Sequence, residues 1–469
     1  MPRAGNFWDA KRERMKRIDL SLLQQSRLTR LLRYVYNNSS FYRARLRSAG
    51  VKPDNFKIGD LDSLPLLSRG DLVEDQAKNP PFGSFACAPR SNVALAGMTG
   101  YIGVSRSNQS LNLALTVQDL RSLAERVSRG MISVGVNPGD RLYVMDDPRL
   151  NPVFVCVTRA AADVGAEAIQ VGVGRSLRTC RFIMPAVPPN HVFASPSYAT
   201  YLAGLLRKER RRFPVRTIFG WGEPGYSVAS KRRVIRDLWS SVSSEHLDVF
   251  DVYGLMEAGL LGFDCREHQG LHGFEDNVIY EVVDPRSGEA KSVGEEGELV
   301  VTTLDVEGQP LIRYRTGDIT SMEEERCGCG RTHLRLRGIK GRLDERVIVE
   351  ESEVFPSQIE DIVNEDRELT GNFRVIQKGG VRMRELVIWI QPRGRRQSAV
   401  QRFQRAATKR LGVKVVAEAR TQKEMPDFIH RAYRILDLAR RAQQERVIWL
   451  QQHLEGLHVD SSRGGQDER

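Results

Sequence analysis

No stretch of this 469-residue chain approaches the ~18 consecutive apolar residues that a membrane-spanning helix requires. A membrane partner is therefore not expected. The basic opening segment MPRAGNFWDAKRERMKRIDL lacks the apolar run of a secretory leader, so the expected location is cytoplasmic. Cysteine is sparse: Cys87, Cys156, Cys180, Cys265, Cys327 and Cys329 are too few for a disulfide framework in a chain of this length. Acidic residues are in the minority, 59 against 71 Lys and Arg, which leaves a net charge of +12. Such a balance attracts anionic ligands, nucleotides among them. It does not point to nucleic acid, because the arginines are scattered and no recognisable binding motif accompanies them. The densest cluster, LRKERRRFPVR (206–216), has one flanking aromatic and reads as a solvated helix face.

The length argues for two or more domains with an ample core. Residues 20–48 read as one helix, with Leu28, Leu31, Leu32, Val35 and Tyr36 at helical spacing. SRGDLVED (68–75) reads as a helix start, with Ser68 as the cap and Asp71 three residues on. From 112 to 200 helical and strand patterns alternate. DRLYVMDD (140–147) reads as a strand, and VFVCVTRAAADVGAEAIQVG (153–172) as a helix and then a strand. VRTIFGWGEP (215–224) is a strand entering a glycine-rich turn, and HLDVFDVYGLMEAG (246–259) a strand and then a loop. This alternation predicts an α/β fold rich in parallel strands, with ligands beyond the strands' C-terminal ends. Residues 278–315 are strand-rich, and 335–363 hold a Gly-Arg turn, a short strand and a helix capped near Ser357.

Three motifs follow in order: FGWGEP (219–224), DVYGLMEAG (251–259) and LIRYRTGD (311–318). With GRLDERV (341–347), VFPSQIEDIV (354–363) and the opening stretches YVYNNSSFYRARLRSAGV (34–51) and LDSLPLLSRGDL (61–72), they resemble the adenylate-forming enzymes that activate carboxylates with ATP, and within them the phenylacetate–CoA ligase family, whose opening helices those two stretches look like. The resemblance covers nearly the whole chain. It implies a large N-terminal nucleotide- and acyl-binding domain (1–340), a small mobile α+β C-terminal domain (341–440), and a charged helix with a disordered tail (441–469). It also implies an enzyme, an AMP-forming acid–thiol ligase. Its cofactors would be ATP and magnesium, its partners an aromatic or related carboxylic acid and CoA; a homodimer is left open.

The resemblance further assigns residues. Asp318 would accept hydrogen bonds from the ribose hydroxyls, Tyr253 would stack on adenine beside Gly254, and Gly222, Glu223 and Pro224 would form the wall next to the base. Glu257 would act in catalysis by holding Mg²⁺. Arg342 and Asp344 would form the hinge between domains, with Asp344 as the pivot. Phe219, Trp221, Gly259 and Leu260 stand where an acyl pocket is expected.

The departures from the family pattern fall on the phosphate side. Ser-Ser-Gly-Thr-Thr-Gly-Lys-Pro is replaced here by Leu95-Ala96-Gly97-Met98-Thr99-Gly100-Tyr101-Ile102. Gly97, Thr99 and Gly100 still offer backbone N–H groups and one hydroxyl. Met256 stands where Tyr-Gly-x-Thr/Ser-Glu has a hydroxyl, and Arg431 where the adenylating lysine is expected, so the catalytic cation would be Arg431. These replacements leave two other readings open. One is an adenylation fold with a different acid or a non-thiol acceptor. The other is a non-catalytic nucleotide- or acyl-binding homologue.

The cysteines carry a separate signal. Cys327-Gly-Cys329 is a tight two-thiol turn, and Cys265 precedes His268 and His272 in CREHQGLHGFED. Three thiols and one imidazole satisfy a closed tetrahedral zinc site of the structural kind. The family resemblance favours His272, in its GLH segment, as the fourth ligand with Cys265, Cys327 and Cys329. Cys87, Cys156 and Cys180 lie in apolar contexts and are expected in the core.

Overall fold

The structure is a computed structural model that describes residues 7–99, 110–145, 153–172, 179–377, 382–394, 396–421, 423–425 and 435–437. Gly100, Tyr101, Ile102, Arg431 and the segment 441–469 lie outside the described residues. The described residues divide into two compact units, the first running to Asp344 and the second starting at Glu345.

After one helical turn, Ala10–Glu13, the first unit continues in the helix Arg17–Asn38, whose Leu28, Leu31, Leu32 and Val35 are buried at the predicted spacing. The expected single helix is broken at Ser39. That side chain accepts from the Tyr42 backbone N–H, which caps a second helix, Ser40–Ser48, and donates to the Ser84 carbonyl at 2.7 Å. A serine that can satisfy a new helix start ends the old one. The helix Arg69–Lys78 starts as expected, with a reciprocal Ser68–Asp71 capping box.

Two strands follow, β1 (Val93–Thr99) and β2 (Leu111–Thr116), paired antiparallel with Gly97 opposite Leu113 and Thr99 opposite Leu111. The main sheet is built next, from β3 (Arg141–Met145), β4 (Glu167–Gln170), β5 (His191–Ala194), β6 (Thr217–Gly220) and β7 (Asp248–Leu255). These five pair in parallel in the order β7-β6-β5-β3-β4. Their middles are largely apolar, because helices such as Val117–Ser133 and Val153–Val164 cover them and leave Leu142, Val144, Phe193 and Phe250 buried in one core.

The loop expected after β7 is a tight hairpin into β8 (Gly259–Phe263), antiparallel to β7. Gly254 permits this closeness, since a Cβ there would lie 2.6 Å from the Gly259 carbonyl oxygen. The short β9 (Leu271–His272) continues the sheet beyond β8. A second, antiparallel sheet contains β10 (Val278–Val283), β11 (Gly297–Thr303) and β12 (Tyr314–Thr320). β13 (Met322–Glu323) and β14 (Arg335–Leu336) extend the main sheet past β9, and β15 (Gly341–Arg342) pairs with β12.

The second unit is a small α+β body. The helices Pro356–Glu365 and Arg396–Leu411 bury Ile359, Ile362, Val363, Phe403 and Ala407 against Val375, Ile388 and Ile390 of its strands. The first of these helices does not cap on Ser357. Pro356 occupies its first position and the Gln358 side chain accepts from the Phe355 N–H, so Phe355 is the capping position.

Candidate functional site

The site lies where the fold class places it, past the C-terminal ends of the parallel strands. Tyr253, near the end of β7, is 8% exposed, and its hydroxyl donates to Asp318 Oδ2 at 2.7 Å. Asp318 sits on β12, 3% exposed, with its backbone N–H donating to the Thr316 hydroxyl at 3.1 Å. Its Oδ1 faces Arg342 Nη1 at 3.5 Å, and Arg342 Nε reaches Asp344 Oδ1 at 3.1 Å. Antiparallel register sets Asp318 opposite Arg342. Burial, reinforced by the Asp318 charge, pushes the Tyr253 phenol well above its ordinary pKa, so it stays a neutral donor. Tyr253, Asp318, Arg342 and Asp344, separate in sequence, thus form one chain of contacts.

A second chain runs beside it. Glu257 Oε1 accepts from the Tyr314 hydroxyl at 2.6 Å and lies 3.2 Å from Arg69 Nη1. The other guanidinium nitrogen of Arg69 donates to the Thr99 hydroxyl, which also accepts from the Leu111 N–H at 3.1 Å. Thr99, the last described residue before the loop, is therefore tied to Glu257 through Arg69. Burial, and then the Glu257 charge, hold the Tyr314 phenol well above its ordinary value.

Glycine is required at Gly222, where φ is +94°. Glu223 is committed elsewhere: its two carboxylate oxygens take the backbone N–H and hydroxyl of Ser197, in the first turn of the helix Pro196–Lys208, at 2.9 and 2.7 Å. Pro224 begins a short 3₁₀ turn. Of the acyl-pocket candidates, Phe219 and Leu260 are core residues, and Gly259 starts β8. Trp221 is half-buried, its ring 5.1 Å from Phe193 and 6.5 Å from Phe154, edge-on in both cases.

Sequence reasoning missed two residues here. Asp251 stands two positions before Tyr253 on β7, hence on the same side of the strand. It is 4% exposed, accepts from the Ser227 hydroxyl, and is pushed up to about 6 by burial. Its strand spacing from Tyr253 was a usable signal. Arg69 lies in SRGDL, which reads as a helix start and as part of the family-like opening helices, and neither reading gives it a site role.

The cysteine signal leads to one place. Cys265 follows β8, His272 lies on β9 and Cys327 and Cys329 form the knuckle before β14; their ligand atoms all fall within 4.8 Å of one another. Cys265 Sγ is 3.8 Å from Cys327 Sγ, and Cys329 Sγ is 3.4 Å from His272 Nε2. On protons alone the charge concentrates on Cys329, which a hydrogen bond from Cys265 and the His272 ring hold far below an ordinary thiol, while that bond and burial push Cys265 up. Cys87 and Cys156 are buried, as expected; the Cys180 side chain is outside the described set.

His268 is not in the cluster. Its ring takes Asp264 at Nδ1 and Asp248 at Nε2, each at 2.9 Å. Those two hydrogen bonds raise its pKa from 6.5 to about 9. The sign follows from linkage: a raised folded-state pKa gives stability that is present below about 6.5 and lost as pH rises through about 9. His268→Gln is expected to flatten that alkaline loss, measured as urea midpoints for both proteins across the same pH range; parallel curves would refute it.

The molecule was compared with known proteins. No family model matches the chain. Phenylacetate-coenzyme A ligase of Thermus thermophilus is 34% identical over 375 residues, covering 78% of this chain and 79% of that protein. This chain belongs to the phenylacetate–CoA ligase family. The Escherichia coli phenylacetate-coenzyme A ligase is 29% identical over 366 residues, 76% of this chain and 79% of its own. Among solved structures, 2-hydroxyisobutyryl-CoA ligase in its postadenylation state with 2-HIB-AMP superposes with a TM-score of 0.86 at 25% identity, covering 97% of this chain and 96% of that one. These homologues of the phenylacetate–CoA ligase family are AMP-forming acid–CoA ligases with a large domain and a smaller C-terminal one. They favour the acid–CoA ligase reading over the two alternatives.

Proposed function

We propose that this protein activates an aromatic or related carboxylic acid with ATP and transfers the acyl group to CoA, releasing AMP and pyrophosphate. The observation that carries the reading is the buried Tyr253–Asp318 pair past the end of β7. The Tyr253 ring offers a face to adenine, and the Asp318 carboxylate accepts from the ribose hydroxyls. Gly222, Glu223 and Pro224 supply the backbone beside the base. Little covalent work falls to such a site, which must position the acid and stabilise phosphate charge.

Magnesium fits Glu257, because that ion takes one or two carboxylates and completes its shell with phosphate oxygens and water. When bound it would neutralise phosphate charge beside the reacting phosphorus. Gly97, Thr99 and Gly100 would hold phosphate through backbone N–H groups, Arg431 would be the catalytic cation, and Arg342 and Asp344 would form the pivot. Trp221, edged by Phe154 and Phe193, favours an aryl or other flat apolar acid.

Zinc fits the cysteine cluster. A tetrahedral zinc with Zn–S of about 2.3 Å and Zn–N of about 2.0 Å sets S···S edges near ~3.8 Å and S···N edges near ~3.5 Å. The observed 3.8 and 3.4 Å match both edges. With four protein ligands no coordination position remains for substrate, so the ion would be structural.

The test is product analysis with Mg-ATP, CoA and a panel of acids that includes phenylacetate, benzoate and 2-hydroxyisobutyrate. The reading predicts a thioester and AMP in equal amounts, dependent on all three substrates. Release of ADP and phosphate, or no thioester from any acid, would overturn it.

A further inference from the structure

The reaction places negative charge on the phosphates, yet the loop that would meet them has Tyr101 where the family pattern has lysine. The structure places another cation, Arg69, against Thr99 and Glu257. We propose that Arg69 is a phosphate-binding residue of the adenylation step, supplying from the helix Arg69–Lys78 the side-chain charge that the loop lacks. This rests on the nucleotide reading above and extends it to Arg69, a residue to which the resemblance assigns no role.

Three observations support it. First, position: the guanidinium bridges the Thr99 hydroxyl, at the entrance to the loop, and the Glu257 carboxylate. Those are two of the groups between which phosphate would sit. Second, access: the Arg69 side chain is 24% exposed and Glu257 8%, so the guanidinium keeps accessible surface beside a buried carboxylate. Third, rigidity: Arg69 follows Ser68, whose capping box fixes the helix start, and Leu67 is clamped to β12 by Leu67 N–H to Arg313 O and Arg315 N–H to Leu67 O, both 2.9 Å. β12 carries Tyr314 and Asp318, so the strand that would hold the ribose also anchors the segment that holds Arg69.

The chemistry explains the choice of side chain. One carboxylate oxygen of the acid forms a bond to the α-phosphorus. The bond from that phosphorus to the oxygen bridging to the β-phosphate breaks, and that oxygen leaves with its electron pair in pyrophosphate. Charge on the phosphoryl oxygens must be met throughout, and a planar guanidinium can donate two parallel hydrogen bonds to one phosphoryl group. A cation already oriented by Thr99 and Glu257 needs little reorganisation at the moment of reaction.

The experiment is a set of binding constants for adenosine, AMP and Mg-ATP, measured by calorimetry on the full chain, for wild type, Arg69→Met and Arg69→Lys. Thermal melting of each protein confirms the native state. Arg69→Met is expected to leave adenosine affinity within about twofold and to weaken AMP and Mg-ATP about tenfold or more, the scale of a charge-assisted hydrogen bond. Arg69→Lys should recover part of the loss. A parallel loss for all three ligands would overturn the proposal, since it would mean that Arg69 only props up Glu257 and Thr99. Unchanged binding of all three would overturn it as well. Failure of the wild-type chain to bind adenosine would overturn the underlying nucleotide reading, and the proposal with it.

Discussion

Asp318→Ala is expected to weaken binding of adenosine and Mg-ATP alike by about 100-fold or more, the combined scale of two hydrogen bonds to a carboxylate. The two nucleotides should suffer equally because the loss lies at the ribose, in contrast to Arg69→Met, where only phosphate-bearing ligands suffer. Part of the effect could come from the pocket itself, since the substitution leaves the buried Tyr253 hydroxyl and Arg342 without this partner. A ligand cycle separates the two contributions. Wild type should bind adenosine far better than 2′,3′-dideoxyadenosine, and Asp318→Ala should bind both equally. A variant that still prefers the hydroxylated nucleoside would show that Asp318 does not meet the ribose. Asp318→Asn, which keeps one acceptor oxygen, should fall between.

Cys327→Ser is expected to remove close to one zinc per chain and to lower the melting temperature by more than 10 °C. The magnitude follows from linkage: structural zinc sites contribute on the order of 10 kcal/mol of apparent binding free energy, and binding to the folded state alone is folding stability. The knuckle has no other cross-link at hand; all five described cysteines are free thiols. It also anchors the N-terminal segment, through Arg331 Nε to Glu13 Oε2 at 2.8 Å, Thr332 N–H to the Glu13 carbonyl at 3.1 Å, and the Phe7 ring under the Arg331 guanidinium at 4.8 Å. Loss of metal should therefore expose that segment to limited proteolysis before the rest of the unit. Elemental analysis, melting curves and digestion read these three effects. A native preparation without metal that melts at the wild-type temperature would contradict the assignment. His268→Gln serves as the control, since it should change the alkaline stability and leave the metal content intact.

Much of this arrangement is legible in the sequence where the signal is local. The helix stripe at Leu28, Leu31, Leu32 and Val35, the Ser68–Asp71 box and the apolar strands of the parallel sheet all follow from short-range pattern. The motifs FGWGEP, DVYGLMEAG and LIRYRTGD are recognisable because each is a short contiguous run on or beside a strand, β6, β7 and β12. What escaped depends on partners distant in sequence. Ser39 breaks a helix because the Ser84 carbonyl is there to receive it. β8 turns back on β7 because Gly254 lets backbone pass close. Glu223 reads as part of a nucleotide wall, yet its carboxylate is occupied with Ser197. Arg69 meets Glu257 across 188 residues, and no window around SRGDL reveals it. His268 and His272 are equal candidates by composition; only the fold shows Asp248 and Asp264 holding the first and Cys329 facing the second.

The departures at Tyr101, Met256 and Arg431 bear on rate more than on identity. In the proposed site each replaces a phosphate-side group and leaves Tyr253 and Asp318 in place, so nucleotide binding is expected to survive changes that slow the chemical step.

The most direct test of the central claim is acid-dependent exchange of labelled pyrophosphate into ATP, with Mg²⁺ present and CoA left out. The account predicts exchange that appears only when a suitable carboxylic acid is added, because the acyl-adenylate forms reversibly before any thiol is needed. Thioester formation with CoA but no exchange under any acid would contradict it, since the acyl group would then reach CoA without passing through an adenylate.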